Sequence, residues 1–233
     1  MSWFSNIFDS LYQTLITDNR YQFILSGLGV TLQIALFSVL IGIVIGALVA
    51  IIKVSAIGNH KLKPLSWLCN LYISVIRGTP VYVQMLIMYT LILADTGLNE
   101  LVIGSITFGL NSGAYVAEII RAGIMSIDKG QMEAGRSLGL NYVSVMKSII
   151  LPQAIKNILP ALGNEFIVLI KETSIVGTIT VYDLTKTAER ISSVTLDLYT
   201  PLLVVAAIYL IIVLGLTKLL NIFERRLARS DRG

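Results

Sequence analysis

Several side chains with chemistry to offer fall inside apolar stretches, where such groups are costly. Asn111, Tyr115, Glu118 and Arg121 lie in one such stretch, and Asn164 and Glu165 in another. Groups of this kind usually face a pathway or a partner. Asn111, Tyr115 and Glu118 stand at i, i+4 and i+7, so a helix places them on one face. Arg121 follows Glu118 by three positions and can pair with it, either as a structural ion pair or as part of a binding surface. Glu165 has few local partners in the sequence. Its carboxylate could hold an ammonium or another cationic group, or it could pair with Arg77 or Lys171. Gln84, Thr79, Thr173 and Ser174 are secondary candidates, and Thr173 and Ser174 could equally cap a helix break. Catalytic and metal chemistry have little material. His60 is the sole histidine, in a basic loop, and Cys69 is the sole cysteine, suited to apolar packing.

The elements that must hold these groups are membrane spans. Of the 233 residues, 55% are hydrophobic and only 14% are charged, where a soluble domain carries about 25% charged residues. Mean hydropathy is +0.79. The apolar runs are long enough to cross a hydrocarbon layer of roughly 30 Å. Five spans are predicted: Gln22 to Ile52, Leu65 to Ala94, Leu101 to Ile124, Pro152 to Ile170, and Leu202 to Leu220. In the first, Gly42, Gly46 and Ala50 recur every four residues, a small-residue seam for close helix packing, within the chain or across a dimer. The second is interrupted by Arg77-Gly78-Thr79-Pro80. Pro80 removes a backbone donor, so a kink or break is predicted there. Residues 3–16 show an apolar stripe (Trp3, Phe4, Ile7, Phe8, Leu11, Tyr12, Leu15, Ile16) opposite a polar face. This reads as an interfacial helix, or as a helix packed on the protein's own outer face. Residues 171–198 are mixed. The N-terminus lacks the basic region and cleavage site of a secretory signal peptide.

Charge orients the spans. Lys53, Lys61, Lys63, Lys129, Arg136, Lys147, Lys218, Arg225, Arg226, Arg229 and Arg232 fall in one set of loops and the C-terminal tail. The opposite set holds Arg20, Lys186 and Arg190, with Lys171 at a span end. The positive-inside rule makes the richer set cytoplasmic, with the N-terminus outside and the C-terminus inside. The net charge of +4 reflects this bias and implies no nucleic-acid partner.

A polar, glycine-punctuated stretch, Glu133 to Pro152, then lies on the cytoplasmic side. Ser137, Leu138, Val143, Val145 and Met146 could give a short helix with one apolar side, opened by Glu133 against the helix dipole. Gly139 could permit a turn, and Pro152 suits the first turn of the following span. Glu133-Ala134-Gly135, Gly139 three residues on, Ile149, and Leu151-Pro152 resemble the EAA loop of ABC importer membrane subunits. Arg77-Gly78-Thr79-Pro80 with Gln84, Asn111 to Tyr115, Glu118 to Arg121, Gly130-Gln131, Pro152-Gln153-Ala154, Leu162 to Phe166 and Lys171 to Ser174 resemble the polar amino-acid permease branch. The likeness runs from about residue 22 to 222. Gly135 departs from the family's usual Ala, a change that lowers helix propensity by about 1 kcal/mol and could loosen that turn.

The resemblance implies an all-α integral membrane protein of the type I ABC importer permease fold. It would have five transmembrane helices, an N-terminal interfacial helix and a cytoplasmic coupling helix. The whole chain, 1–233, would be one permease domain, with its core at 22–222 and the EAA loop at about 126–152. Glu133, Ala134, Gly135, Ser137, Leu138, Gly139 and Leu140 would meet a cytoplasmic ABC ATPase. The other implied partners are a second permease subunit, identical or not, an extracellular or periplasmic amino-acid-binding protein, and membrane lipid. The location implied is the bacterial cell membrane. A polar amino acid offers an ammonium and a carboxylate, for which Glu165, Asn164, Asn111, Tyr115 and Glu118 are the candidate ligands. The chain holds no Gly-x-x-x-x-Gly-Lys-Ser/Thr phosphate loop, so no cofactor is expected here, and ATP and Mg would belong to the partner ATPase. Two other classes compete: a secondary transporter driven by an ion gradient, with Glu118 and Glu165 carrying protons, and a membrane scaffold. No inverted repeat is evident for the first, and the second has no use for polar groups inside spans.

Overall fold

Helices are the only regular elements among the described residues, as the apolar runs predict. The computed structural model describes residues 2–57 and 59–229, with side chains from 8 to 57 and 59 to 227. The predicted roles of Trp3, Phe4, Ile7, Arg229 and Arg232 therefore fall outside the described side chains.

The helices are α1 (Ser2–Leu15), α2 (Arg20–Ser55), α3 (Lys63–Gly78), α4 (Val81–Ile87), α5 (Glu100–Met125), α6 (Lys129–Ser137), α7 (Tyr142–Val145), α8 (Leu151–Glu172), α9 (Leu184–Thr195) and α10 (Thr200–Arg229). By length and apolarity, Thr17–Ser55 and Thr200–Leu227 each qualify to cross a membrane, and His60–Gly78 with Val81–Ile92 qualifies as one broken span. At 1.5 Å per residue, α5 (26 residues) and α8 (22 residues) measure about 39 and 33 Å, enough for the hydrocarbon core. Their polar side chains set them apart from the lipid-like helices.

The predicted break stands between α3 and α4. The helix stops at Gly78, Thr79 is extended (φ −121°, ψ 146°) as the residue before a proline prefers, and helix resumes at Val81. Pro152 stands in the first turn of α8, as expected, and a π-turn at Met146–Ile150 joins α7 directly to that helix.

The chain forms two compact units. One comprises Met1–Ser38, Val81–Phe108 and Ile167–Thr217; the other comprises Val39–Pro80, Gly109–Phe166 and Lys218–Gly233. In the first, Ile24, Leu184, Ala188, Ile191 and Val205 make a buried core. The mixed segment 171–198 resolves there into a 3₁₀ stretch, Thr173–Ile179, and α9. Asp183 caps α9, accepting from the Lys186 and Thr185 backbone N–H groups at 2.9 and 3.1 Å. Leu184, Ala188 and Ile191 repeat at i, i+4 and i+7, the stripe that a core-facing helix needs. α1 packs against α9. Thr14 is buried, while Phe8 and Tyr12 are exposed, so this helix turns a polar position inward and aromatic positions outward.

The second unit is organised by the glycine seam of α2. A Cβ on Gly42 would lie 2.8 Å from Ser112 Oγ, and one on Gly46 would lie 2.5 Å from Val116 Cγ1. Both neighbours are on α5, so the seam serves packing within the chain. α3 closes the cluster, its Tyr72 hydroxyl donating to the Leu110 carbonyl at 2.6 Å. Ile73 of α3 and Ala114 and Ala117 of α5 form the core here.

Candidate functional site

Two carboxylates of the second unit, Glu165 and Glu118, lie within its long helices α8 and α5, each held in a different way. Glu165, on α8, is 9% exposed, and its Oε1 accepts from the buried Ser112 hydroxyl at 2.8 Å. Among the described residues no cation pairs with it; neither Arg77 nor Lys171 is its partner. Arg77 instead lies over the Tyr115 ring, 5.0 Å from its centroid, a cation–π distance. Asn111, one residue before Ser112, is also buried, and it too is hydrogen-bonded or otherwise engaged. Asn164 precedes Glu165 but is exposed, because successive helical residues point about 100° apart.

Glu118 sits two turns further along α5. Its Oε1 is 2.7 Å from Lys53 Nζ, and its Oε2 is 2.8 Å from the Arg121 guanidinium. One acid thus meets two cations. The predicted Glu118–Arg121 pair is present, with Lys53 added. The sequence reading placed Lys53 in a loop; it belongs to the last turn of α2, which ends at Ser55. Along the shared face, Asn111 is 4% exposed, Tyr115 36% and the Glu118 side chain 23%.

The remaining candidates are dispersed. Thr79 is exposed and donates back to the Val75 carbonyl at 2.8 Å. Gln84, Thr173 and Ser174 belong to the first unit. Thr173 is fully buried and donates to the Ile170 carbonyl at 2.8 Å, securing the end of α8. Sequence reasoning did not assign a role to Ser112 or Lys53. The signal for Ser112 was the α2 seam, since Gly42 leaves the space that Ser112 fills.

The polar stretch after α5 makes a helical corner rather than one helix. Asp128 caps α6, accepting from the Gly130 N–H at 2.6 Å, so Glu133 lies mid-helix and does not open it. α6 ends at Ser137, and Gly139, just beyond its cap at Leu138, has a φ of +83°. The Leu140 N–H donates to the Gly135 carbonyl at 3.2 Å and the Gly139 N–H to the Arg136 carbonyl at 3.0 Å. This pair of bonds is a Schellman stop, with glycine in the left-handed position. α7 then starts from Asn141, whose side chain accepts from the Ser144 N–H at 2.8 Å. Gly135 does not act as a loosened turn. It is buried, and a Cβ there would stand 2.7 Å from Val145 Cγ2, so the missing side chain lets α7 close on α6. Leu138 is 83% and Val143 69% exposed at the corner. Glu133, Ala134, Ser137 and Leu140 are exposed as well.

Residues 42–229 match the family model described as the binding-protein-dependent transport system inner membrane component. The chain belongs to this family. It is 40% identical to the arginine transport system permease protein ArtQ of Bacillus subtilis, covering 90% of this chain and 94% of that one. It is 42% identical to a putative glutamine transport system permease protein GlnP of Rickettsia bellii, over 89% and 94% of the two chains. A crystal structure of an amino acid ABC transporter with histidines matches at TM-score 0.83 and 46% identity, covering 90% of this chain and 96% of that one. The MetNI methionine ABC transporter, facing inward, shares the fold at TM-score 0.69 and 18% identity, over 86% of this chain and 96% of that one. The all-helical architecture agrees with these solved structures.

Proposed function

We propose that this inner membrane component is the permease subunit of an ATP-binding-cassette importer for polar amino acids. It forms the translocation pathway and is driven by a separate ATPase. The observation that carries this is the 46% identity, over 90% of the chain, to an amino acid ABC transporter of known structure. The chain is then a transport subunit rather than an enzyme, and residues 1–233 act as one permease domain. In support, α2, α5, α8 and α10 each contribute residues to both compact units. The five-span topology places α1 and the N-terminus outside and the basic C-terminal tail in the cytoplasm. That orientation rests on the Lys/Arg bias of the loops.

Glu165 is the best-supported ligand for the substrate ammonium or a cationic side chain. It is a buried carboxylate with one neutral hydrogen-bond partner, which leaves acceptor capacity unused. Asn111 and Tyr115 would contribute polar contacts. Glu118 is already matched by two cations and suits a structural role. The α6–α7 corner is the proposed joint with the ATPase. Glu133 to Leu140 offer exposed polar groups around the apolar Leu138, and the Schellman stop holds their geometry. The further partners are a second permease subunit and an amino-acid-binding protein on the outer face. ATP and Mg would be bound by the ATPase.

The test is reconstitution in liposomes with the partner ATPase and a panel of radiolabelled amino acids. Uptake should require ATP and the ATPase. Uptake driven by an ion gradient alone would overturn the proposal in favour of a secondary transporter.

A further inference from the structure

A groove between the end of α2 and the start of α3 enters neither the substrate site nor the coupling corner. Its cavity measures about 340 Å³, and Lys53, Ile57, Lys63, Ser66, Trp67 and Asn70 line it. On α3, Lys63, Ser66, Trp67 and Asn70 stand at i, i+3, i+4 and i+7, which is one helix face. Lys53, in the last turn of α2, and Ile57, just beyond the helix end, line the other side.

The polar groups of this face are unspent. Among the described residues, the side chains of Lys63, Ser66 and Asn70 make no hydrogen bond or ion pair, and Lys63 and Asn70 are exposed. Lys53 gives one bond to Glu118 at 2.7 Å, and its ammonium keeps two further donors. The groove is therefore lined by side chains that carry two ammonium groups, a hydroxyl and a carboxamide, and no acid pairs with Lys63 among the described residues. Such a set suits a phosphate diester.

The surroundings say which phosphate. Trp67 is 63% exposed at the groove, a residue that favours headgroup depth. Beyond it on the same helix, Leu68, Leu71 and Val75 are 52%, 46% and 52% exposed. A basic polar end thus continues into an open apolar flank on a helix that belongs to a broken membrane span. We infer that this groove is a binding site for the headgroup of an anionic phospholipid, with its acyl chains lying along α3. A free phosphate would use only the polar end and would leave the apolar flank without an occupant. The inference requires that the chain lie in a membrane, and it is independent of the transported substrate.

Native mass spectrometry of the full chain in detergent, titrated with phosphatidylglycerol or phosphatidylcholine, tests it. Phosphatidylglycerol should be retained preferentially, and Lys63→Gln should lower its occupancy roughly fivefold, the effect of one basic residue on an anionic lipid. Lys147→Gln, which removes an exposed charge elsewhere, should leave occupancy unchanged. Trp67→Leu should weaken retention of both lipids while preserving the preference. Equal retention of the two lipids by the unaltered chain would overturn the assignment. So would equal losses in Lys63→Gln and Lys147→Gln. Displacement of the lipid by soluble glycerol phosphate at matched concentration would make the groove a free-anion site instead. None of these readouts depends on uptake, so a failed transport assay leaves the outcome intact.

Discussion

Glu165 and Glu118 are both acids inside a membrane protein, and the structure treats them in opposite ways. Glu118 is partly exposed, and Lys53 and Arg121 bracket its carboxylate at 2.7 and 2.8 Å. Glu165 is more deeply buried and receives a single neutral hydrogen bond from Ser112. A buried charge without a partner is expensive, and natural proteins retain one where something must bind it. A compensated charge can instead fix two helices against each other. Under the proposed function, the difference would separate a carboxylate available to a ligand from one whose electrostatic needs are met within the chain.

The largest effect should come from Glu165→Gln. The amide keeps the shape and can still accept from Ser112, so assembly and thermal stability should hold. Uptake should fall roughly 10- to 100-fold, the worth of a hydrogen bond to a charged group. Loss of the folded complex together with uptake would make Glu165 structural and erase the contrast with Glu118.

Gly42→Ala approaches the same site from behind. Its Cβ would press on Ser112 Oγ and Cβ at 2.8 and 2.9 Å, displacing the one group that holds Glu165. Overpacking of this kind costs about 1–3 kcal/mol, so a lower melting temperature and weaker uptake are expected together. Gly46→Ala crowds Val116 instead and should lower stability without a selective loss of substrate affinity. Equal losses of affinity in the two variants would show that Ser112 does not position Glu165.

Glu118→Gln should show the opposite signature. Removing the acid leaves two cations facing each other in a partly solvated site. A stability loss of about 1–3 kcal/mol is expected, between the values for exposed and buried pairs. Uptake per folded complex should stay within a few-fold of the parent in the same liposome assay. A collapse of uptake at unchanged stability would move Glu118 into the substrate site.

The smallest effect belongs to the corner. Gly139→Ala puts a side chain at φ +83°, costing about 1–2 kcal/mol at that residue. The spans should remain intact by thermal shift, and ATP hydrolysis should proceed with less uptake per ATP. Full coupling in this variant would separate the corner from the ATPase.

Much of the fold was legible in the sequence. Apolar runs longer than a bilayer leave a chain little choice but helix, since backbone groups must bond within the segment. Pro80 alone announced the broken span, because its ring removes a donor wherever the helix lies. Gly139 announced a turn for a similarly local reason. Helix starts were harder to place. Asp128 rather than Glu133 caps α6, since an Asp just before the first turn satisfies a free N–H directly. α9 carried a readable stripe, Leu184, Ala188 and Ile191, hidden by the charged residues on its other face.

The composition, the spans, the break and the list of polar groups inside the membrane follow from the sequence alone, because each depends on local backbone chemistry or on transfer from water. The tertiary structure decided what those groups do. Lys53 lies 65 positions from Glu118, and Ser112 lies 53 from Glu165. No local spacing reports such pairs. Lys53 reaches Glu118 because Gly42 and Gly46 bring α2 against α5, while Ser112 of α5 meets Glu165 of α8, so one carboxylate is matched by cations and the other by a neutral hydroxyl.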